Sequence, residues 1–598
     1  MDRRSLLAIV ITFAILIGWE VLYMAPKRNE LARRQAAELE SRRQADSLAA
    51  LERPAGAETT AAAAPTAPAA PAAIAGEPAA SGDFLAQDAG RTAKRITVST
   101  GRANIVLSSA GGEVESVTLA EFEKKDGSPV ELVPEGAAGG LRLSLLEKGE
   151  WTGLSGAAFE VTVDGAPAAD GETIVLGEGR DSATVLFRRA GEGGEAVERS
   201  YTFARGSYDV SVRVAMRREG ALARTEGYSL GWECGLPSTE TDRKGDLRKF
   251  AALGRVGEEQ YRTDMAKFGK TTRLEHEGTV VWAGARTKYF FSALITKAGK
   301  RGSGTLVLLG DRAENFIGCG IAYPFRGDPR LVEDVFTWYA GPLDMKALSG
   351  YGLGLEKAID MGYLRFLSVG VLRLMVWMKK GIPNYGLIII IISVLTKLLF
   401  YRLTHKSFKS MKDMQRLQPR IKEIQEKWKG DRDRLNKEIM KAYKEAGVSP
   451  LGGCLPLLLQ MPIFIALYNA LGNTIELRGA PFVGWINDLS MPDTLFRWGA
   501  SVPILGNEFH LLPILMGAAM IAQSKLGGSP TGEGAPAMQA KMMNWMMPII
   551  FTIFFYSMPS GLVLYWLVNQ VLSVAQQYIV QREIESEEQN RALAGAEK

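Results

Sequence analysis

The stretch GLIIIIISVLTKLLFYRL, residues 386–403, decides the fold of this chain. In an α-helix, at ~1.5 Å per residue, it would be ~27 Å long, close to the ~30 Å hydrocarbon core of a bilayer. Lys397 is the charged residue inside the apolar run, and Arg402 lies at its end. The stretch therefore predicts a membrane-spanning helix that carries a buried charge.

Further apolar runs predict six spans in all. The core, 383–581, is expected to hold the spans 384–403, 451–472, 511–524, 542–558 and 561–580. The sixth lies in residues 1–24, where the apolar run ends without the small residues of a signal-peptidase site, so an uncleaved anchor is predicted. Residues 25–94 are charged and then rich in Ala and Pro, which is typical of a tether.

Composition excludes several classes of site. The 598 residues include 3 His and 3 Cys, too dispersed to complete a zinc, haem or iron–sulfur centre. We therefore expect no metal and no cofactor. The formal net charge of +5 is small, so the choice of partner has to be argued from local patches.

Residues 95–345 are polar, Gly-rich and patterned as strands. Alternating apolar residues at 208–216, and short β-branched runs such as 305–309 and 335–339, predict a large antiparallel β-sandwich. Cys234 and Cys319 either form a disulfide or remain two buried thiols, and the sequence leaves both open. Residues 346–382 are predicted to be a connector followed by an amphipathic interfacial helix, with Arg365 and Arg373 on one face.

The distribution of basic residues predicts the orientation of the chain. Fourteen Lys and Arg against seven acidic residues lie in 402–445, whereas the loop 473–510 holds only Arg478 and Arg497. By the positive-inside rule, 404–449, here called the basic hairpin, is cytoplasmic, as are the N-terminus and the tail 582–598. Basic residues just after the anchor argue the other way and leave a conflict. Heptad-like spacing predicts that the basic hairpin is a helical pair, although a solvated linker would show similar spacing.

Polar residues follow one face of several predicted spans. A lysine in mid-membrane costs roughly 2.5–3.5 kcal/mol, so Lys397 needs compensation, either by snorkelling toward the interface or by a hydrated groove. Because more than one span carries such a face, and two spans are short enough to thin the bilayer, a positively charged groove is favoured. The predicted groove residues are Lys397, Ser393, Thr396, Gln460, Asn569, Ser573, Gln576 and Gln577, with Gln523 and Asn544 as further candidates.

Several motifs resemble the bacterial YidC membrane protein insertase family. They are Asn384-Tyr385-Gly386, Leu417-Gln418-Pro419, the segment from Pro450 to Pro456, Gln460-Met461-Pro462-Ile463-Phe464 and the segment from Pro559 to Tyr565. Weaker similarity to the Gram-negative form lies at Gly111-Gly112-Glu113, Tyr289-Phe290-Phe291 and Ala340-Gly341-Pro342. The match runs in order through most of 384–580.

The resemblance implies a polytopic α-helical inner-membrane protein with a five-helix insertase core and a periplasmic all-β supersandwich domain. Its expected function is insertion and chaperoning of newly made membrane proteins, alone or with the Sec translocon, without catalysis. A groove arginine of the family matches Lys397 here, which keeps the charge but loses the planar donor fork. The resemblance also implies that the incoming helix slides along Met461, Pro462, Phe464, Tyr565 and Trp566.

Other partners follow from the same resemblance. They are nascent inner-membrane proteins, the lipid bilayer and the ribosome, with no sequence-specific nucleic-acid binding. Because the tail 582–598 holds three basic residues against five Glu, ribosome or client contact would fall to the basic hairpin. The basic residues expected to make it are Lys406, Lys409, Lys412, Arg416 and Arg420.

Three other classes of protein fit the residues less well. A secondary transporter would show inverted repeats, which five unequal core spans lack. An intramembrane protease would need a catalytic pair, but His405 and His510 are predicted at opposite membrane faces. A purely structural scaffold gives no reason for Lys397 at its depth.

Overall fold

The computed structural model describes residue 84 and residues 92–297, 303–327, 329–428, 430–447, 455–502, 506–526 and 545–596. The predicted anchor 1–24, most of the linker 25–94, and Asn544 lie outside these ranges. The chain divides into two compact units. Among the described residues, the β unit comprises 84–385 and 464–491, and the helical unit comprises 386–463 and 492–596.

Three sheets build the β unit. The strands in chain order are β1 (Arg95–Ser99), β2 (Ala103–Ser108), β3 (Val114–Glu123), β4 (Pro129–Glu131), β5 (Arg142–Glu147), β6 (Glu150–Gly153), β7 (Glu160–Val163), β8 (Ala166–Pro167), β9 (Glu172–Val175), β10 (Ser182–Ala190), β11 (Ala196–Ala204), β12 (Asp209–Arg217), β13 (Gly227–Trp232), β14 (Ala251–Val256), β15 (Glu259–Asp264), β16 (Thr272–Gly278), β17 (Val280–Arg286), β18 (Phe290–Thr296), β19 (Gly304–Asp311), β20 (Phe316–Pro324) and β21 (Leu331–Pro342). The sheet orders are β4-β3-β2-β1-β9, β15-β14-β17-β18-β21-β12-β11-β10-β7-β8 and β16-β19-β20-β13-β5-β6.

The alternation in the sequence sets the faces of these sheets. Val210, Val212 and Val214 of β12 are buried, and β12 pairs antiparallel with β21 over its whole length. Trp232 of β13 stacks on Trp338 of β21 with ring centroids 5.6 Å apart, so the six- and ten-stranded sheets share a core. The prediction of an all-β domain is confirmed. Cys234 and Cys319 are buried free thiols, so no disulfide joins them in this structure.

Helices dominate the rest of the described chain. The α-helices are α1 (Arg243–Leu247), α2 (Met345–Gly350), α3 (Arg365–Lys379), α4 (Tyr385–Leu399), α5 (Tyr401–Arg416), α6 (Gln418–Lys427), α7 (Arg432–Glu445), α8 (Leu455–Asn473), α9 (Leu511–Leu526), α10 (Met547–Phe555) and α11 (Ser560–Ala596). A short hairpin, β22 (Phe496–Val502) with β23 (Gly506–Phe509), precedes α9.

The predicted spans differ from these helices in length and continuity. The run 386–403 is broken at Phe400, where α4 and α5 meet with a bend of 66°. Across the described ranges, no single helix is both long and apolar enough to cross a bilayer, and the bent pair Tyr385–Leu399 with Tyr401–Met414 meets that test together. The six spans and the cytoplasmic position of the basic hairpin stay predictions.

The amphipathic helix predicted within 346–382 is α3, but one of its arginines has another role. Arg365 does not face out beside Arg373. Its guanidinium donates to the carbonyls of Ile359 and Glu356, 2.9 and 2.7 Å away, at the end of the connector. Phe366 and Trp377 are exposed on α3, as an interfacial helix requires.

Candidate functional site

The helical unit brings Lys397 of α4 against α11. The ammonium Nζ of Lys397 donates to the hydroxyl of Ser573 over 2.6 Å, and that hydroxyl donates to the carbonyl of Asn569 over 2.8 Å. Lys397 is half-buried. Within the described part of the chain, no carboxylate lies within 4.0 Å of Nζ, so the ammonium has a neutral partner and no counterion.

The other two polar residues on the face of Lys397 bond to their own helix. The hydroxyl of Ser393, which is fully buried, donates to the carbonyl of Ile389 over 2.8 Å. The hydroxyl of Thr396 donates to the carbonyl of Ser393 over 2.9 Å. These bonds satisfy both hydroxyls as donors. The Thr396 hydroxyl also contacts the side chain of Tyr565, so both Thr396 and Lys397 reach α11.

Gln576 of α11, three residues after Ser573, forms a second polar link. Its amide Nε2 donates to the hydroxyl of Thr404 over 2.8 Å and to the carbonyl of Tyr401 over 3.3 Å, at the start of α5. The sequence prediction missed Thr404, because it assigned the chain after residue 403 to the basic hairpin. The observable signal was its position seven residues after Lys397, on the same helical face.

The remaining predicted polar residues of this site are more dispersed. The Asn569 amide donates to the carbonyl of Tyr565, one turn earlier in α11. Gln460 of α8 donates to the hydroxyl of Tyr565. Gln577 is buried and lines a small cavity of about 20 Å³ beside Phe408, roughly the volume that one water needs. Gln523 lies near the end of α9.

The predicted slide residues fall into two environments. Met461 of α8 is 39% exposed, and Pro462 lies inside the same helix. Tyr565 and Trp566 are buried, and the Trp566 ring lies 5.2 Å from that of Phe555. In the β unit, the ring of Phe464 stacks on Tyr468 at 6.5 Å.

The basic residues expected at the cytoplasm lie on α5 and α6. Lys406, Lys409, Arg416 and Arg420 are exposed and Lys412 is half-buried. Arg420 of α6 forms an ion pair of 2.7 Å with Glu445 of α7, so these two helices run side by side. Arg416 is paired with Asp413 at 3.5 Å on its own helix. Of the three lysines in the predicted set, Lys406 and Lys409 are the more exposed.

The described residues contain no group of three or more His, Cys, Asp or Glu side chains that could hold a metal ion. The site instead consists of one ammonium, several hydroxyls and amides, and apolar helix faces. An ammonium can attract an acidic peptide segment, and hydroxyls and amides can form hydrogen bonds with a polar one. These groups do not form a nucleophile–base pair.

Comparisons with known proteins agree with this chemistry. A family model described as the YidC periplasmic domain matches residues 95–374, and the model of the 60Kd inner membrane protein matches residues 377–588. The membrane protein insertase YidC of Chlorobium luteolum is 32% identical, over 97% of this chain and 95% of its own length. That of Chlorobaculum tepidum is 31% identical, over 99% and 96%.

A solved structure titled as an active YidC insertase with its first transmembrane domain resolved matches at 18% identity and a TM-score of 0.34. It covers 82% of this chain and 93% of its own. The relatives in sequence are matched along nearly their whole length and above 30% identity. The chain therefore belongs to the YidC family of membrane protein insertases.

Proposed function

We propose that this inner-membrane insertase moves a short polar segment of its client through a groove beside α4, α5 and α11, while the adjoining apolar helix enters lipid. The observation that carries the proposal is the half-buried ammonium of Lys397, which contacts the hydroxyl of Ser573 and no carboxylate within the described residues. A charge without a counterion attracts an acidic segment more strongly than a paired charge does. The proposed groove residues are Lys397, Ser393, Thr396, Gln460, Asn569, Ser573 and Gln576.

The energetics of this step require no nucleotide. The polar segment exchanges bulk water for hydroxyls, amides and water inside the groove, and the apolar helix that follows it gains about −0.3 to −0.6 kcal/mol per Leu or Ile at mid-membrane. A client helix of ~20 residues therefore supplies several kcal/mol in the forward direction. The family is one of insertases and not of enzymes.

Met461 supports a lipid-side path, because it is the exposed member of the predicted slide. Tyr565 and Trp566 are buried against neighbouring helices and would contact a client only after those helices separate. We propose that the client first meets Met461 and Pro462 and reaches Tyr565 later. Phe464 extends the same helix in the direction of Asn473.

The remaining elements of the proposal concern orientation and partners. The basic hairpin, the N-terminus and the tail would be cytoplasmic, and the β unit would be periplasmic, as the distribution of basic residues predicts. Nascent membrane proteins are the clients that the family implies. Exposed Lys406 and Lys409 suit contact with the ribosome or with an acidic client, and Sec components remain proposed partners.

The test is insertion by the purified full chain in liposomes without nucleotide. A short single-span substrate with an acidic leading segment is added, and its protease-protected fraction is measured. Lys397→Ala should lower the insertion yield about tenfold, which corresponds to ~1.4 kcal/mol of lost attraction. An unchanged yield would remove the groove-charge mechanism.

Two matched variants separate charge from fold. Lys397→Arg keeps the charge and should retain most of the yield. Lys346→Ala removes one exposed charge from α2 of the β unit and should leave insertion in the liposome assay unchanged, since that lysine lies outside both the proposed groove and the basic hairpin. A substrate without acidic residues should show a smaller effect of Lys397→Ala than the acidic substrate.

A further inference from the structure

The aromatic hairpin, defined here as β22 with β23, carries a cluster of rings before α9. Phe496 lies opposite Phe509 in the ladder, and their rings stack at a centroid distance of 4.9 Å. The indole of Trp498 packs edge-on against both rings, at 5.7 Å from Phe496 and 6.0 Å from Phe509. Phe496 is 49% exposed and the preceding Leu495 is 41% exposed. A well-formed aromatic cluster is therefore left partly uncovered.

The charges of the aromatic hairpin neutralise one another. Arg497 and Glu508 are the charged residues of 496–509, and they pair across the ladder at 2.7 Å. Glu508 also accepts a hydrogen bond from the hydroxyl of Thr494 over 2.9 Å. Moving this surface out of water therefore costs less than moving two separate charges.

The base of the aromatic hairpin is fixed to the ends of two helices. Asp493 accepts hydrogen bonds from the first amides of α9, those of Leu511 and Leu512, each over 2.9 Å. The hydroxyl of Tyr556, just after α10, donates to the carbonyl of Glu508 over 2.9 Å and accepts from the amide of His510 over 3.3 Å. The position of the rings relative to α9 and α10 is thus set by several bonds.

The same end of these helices is apolar on its exposed side. Ile514 and Leu515 of α9, and Ile553 and Phe554 of α10, are exposed large apolar residues. His510 alone separates the aromatic hairpin from α9. An apolar helix face that continues into a cluster of aromatic side chains is typical of the boundary between the hydrocarbon core and the lipid headgroups.

We propose that the aromatic hairpin is a lipid-binding anchor that inserts Phe496 and Trp498 into the headgroup region of the outer leaflet. α9 has 16 residues, ~24 Å at ~1.5 Å per residue, which is shorter than the ~30 Å hydrocarbon core. Rings held at the end of so short a helix would fix the level of the headgroups beside it and favour a thinner bilayer there. The inference rests on the bilayer setting of the family, on α9 as a span and, for the choice of leaflet, on the orientation proposed above. It does not rest on the groove charge.

A lipid surface fits this patch better than a second protein does. Leu495 and Phe496 are 41% and 49% exposed, and Trp498 and Phe509 are only partly exposed, so at roughly 200 Å² per side chain the patch offers ~300 Å² at most. A specific protein interface needs about 800 Å² from each partner. A lipid interface has no such minimum, because each inserted ring gains free energy independently.

The test measures the depth of Trp498 in liposomes of phosphatidylcholine and phosphatidylglycerol that contain the full chain. Because the chain has 11 Trp, the signal of Trp498 is the difference between the wild type and Trp498→Phe. Lipids brominated near the glycerol end of the acyl chain should quench this difference at least about twofold more than lipids brominated near the methyl end. Acrylamide in water should quench it weakly.

Two further variants keep the result interpretable. Phe496→Asp places a charge in the exposed ring cluster and should shift the Trp498 signal from bromolipid quenching to acrylamide quenching. Trp282→Phe removes a fully buried indole of the β unit, and its difference signal should respond to neither quencher.

Two outcomes would overturn the anchor. Strong acrylamide quenching without bromolipid quenching would place Trp498 in water, and resistance to both would assign the patch to a protein contact. Insertion yield with Lys397→Ala is measured separately, so failure of the anchor and failure of the groove are distinguishable.

Discussion

The two units use apolar residues in opposite ways. In the sheets of the β unit, the large side chains of Trp232, Trp282 and Trp338 are fully buried. In the helical unit, Leu398, Leu399 and Phe554 are 64%, 76% and 55% exposed. Exposed apolar surface of this extent is unfavourable in water, and it is the surface that a helical unit facing lipid would carry.

Buried polar groups differ between the units as well. In the β unit, the guanidinium of Arg199 donates to the carbonyls of Gly111 and Leu141 and to the hydroxyl of Tyr201, at 2.5–2.7 Å. These bonds tie β11 to the turn before β3 and to Leu141, the residue that precedes β5. In the helical unit, Lys397 has a hydroxyl as its partner, which water can replace. Polar groups thus hold the fold in one unit and remain available in the other.

Removing a polar anchor of the β unit should have the largest effect on stability. Arg199→Ala would leave buried carbonyls without donors and a cavity between the sheets, at a cost of about 3–5 kcal/mol. Urea unfolding of the full chain in detergent, followed by Trp fluorescence, measures this loss. A cost below ~1 kcal/mol would contradict the distinction between the units.

An exposed arginine of the same sheet provides the control. Arg188 pairs with Glu198 at 3.5 Å, and its side chain is 55% exposed. Arg188→Ala should change the free energy of unfolding by less than ~1 kcal/mol. Arg199 and Arg188 lie on neighbouring strands of one sheet. The difference between the two losses of unfolding free energy therefore reports the effect of burying the guanidinium.

The next effect depends on pH and concerns Glu476, in the turn Ile475–Leu477 after α8. Burial raises the pKa of its carboxyl to about 7, and its Oε2 has no hydrogen-bond partner in the described structure. Because the folded pKa exceeds the unfolded value of about 4.3, stability falls as pH rises between these two values. Glu476→Gln should remove this fall and stabilise the chain by about 2–3 kcal/mol at ~pH 8.

Unfolding midpoints at about pH 5 and pH 8 measure this difference. Glu258→Gln is the matched control, because the Glu258 side chain is 95% exposed, and it should leave the pH dependence of the wild type in place. A Glu476→Gln variant that still loses stability toward pH 8 would mean that another group causes the fall.

The sequence predicted the β unit better than the helical unit, and the reason is physical. Strand β12 follows from the strict alternation at 210, 212 and 214, since one face must be buried. The break at Phe400 could not be predicted, because 386–403 contains no Pro and no internal Gly to mark it. Apolar runs specify burial in lipid, and they do not specify where a helix bends.

The candidate site was predictable in part. Helical spacing placed Lys397 and Ser573 each on a polar face of its own predicted span, and in the structure the two side chains form a hydrogen bond. Spacing could not show that Tyr565 is buried against Gln460, because both faces of a membrane helix are apolar and only tertiary packing separates them. The sequence also assigned Arg365 to the interface. Its hydrogen-bond partners are carbonyls of the connector, which has no periodic pattern, so helical spacing could not predict them.

The smallest effect is expected where water can replace a protein partner. Ser573→Ala removes the hydroxyl that Lys397 contacts but leaves the ammonium in the groove, so insertion should stay within about threefold of the wild type, or ~0.7 kcal/mol. The liposome assay with the acidic substrate measures the yield beside Lys397→Ala. If both variants lose the same activity, the contact between the two helices, and not the charge, carries the function. A helical unit with that behaviour would depend on its polar contacts as the β unit depends on Arg199, and the contrast between the units would no longer hold.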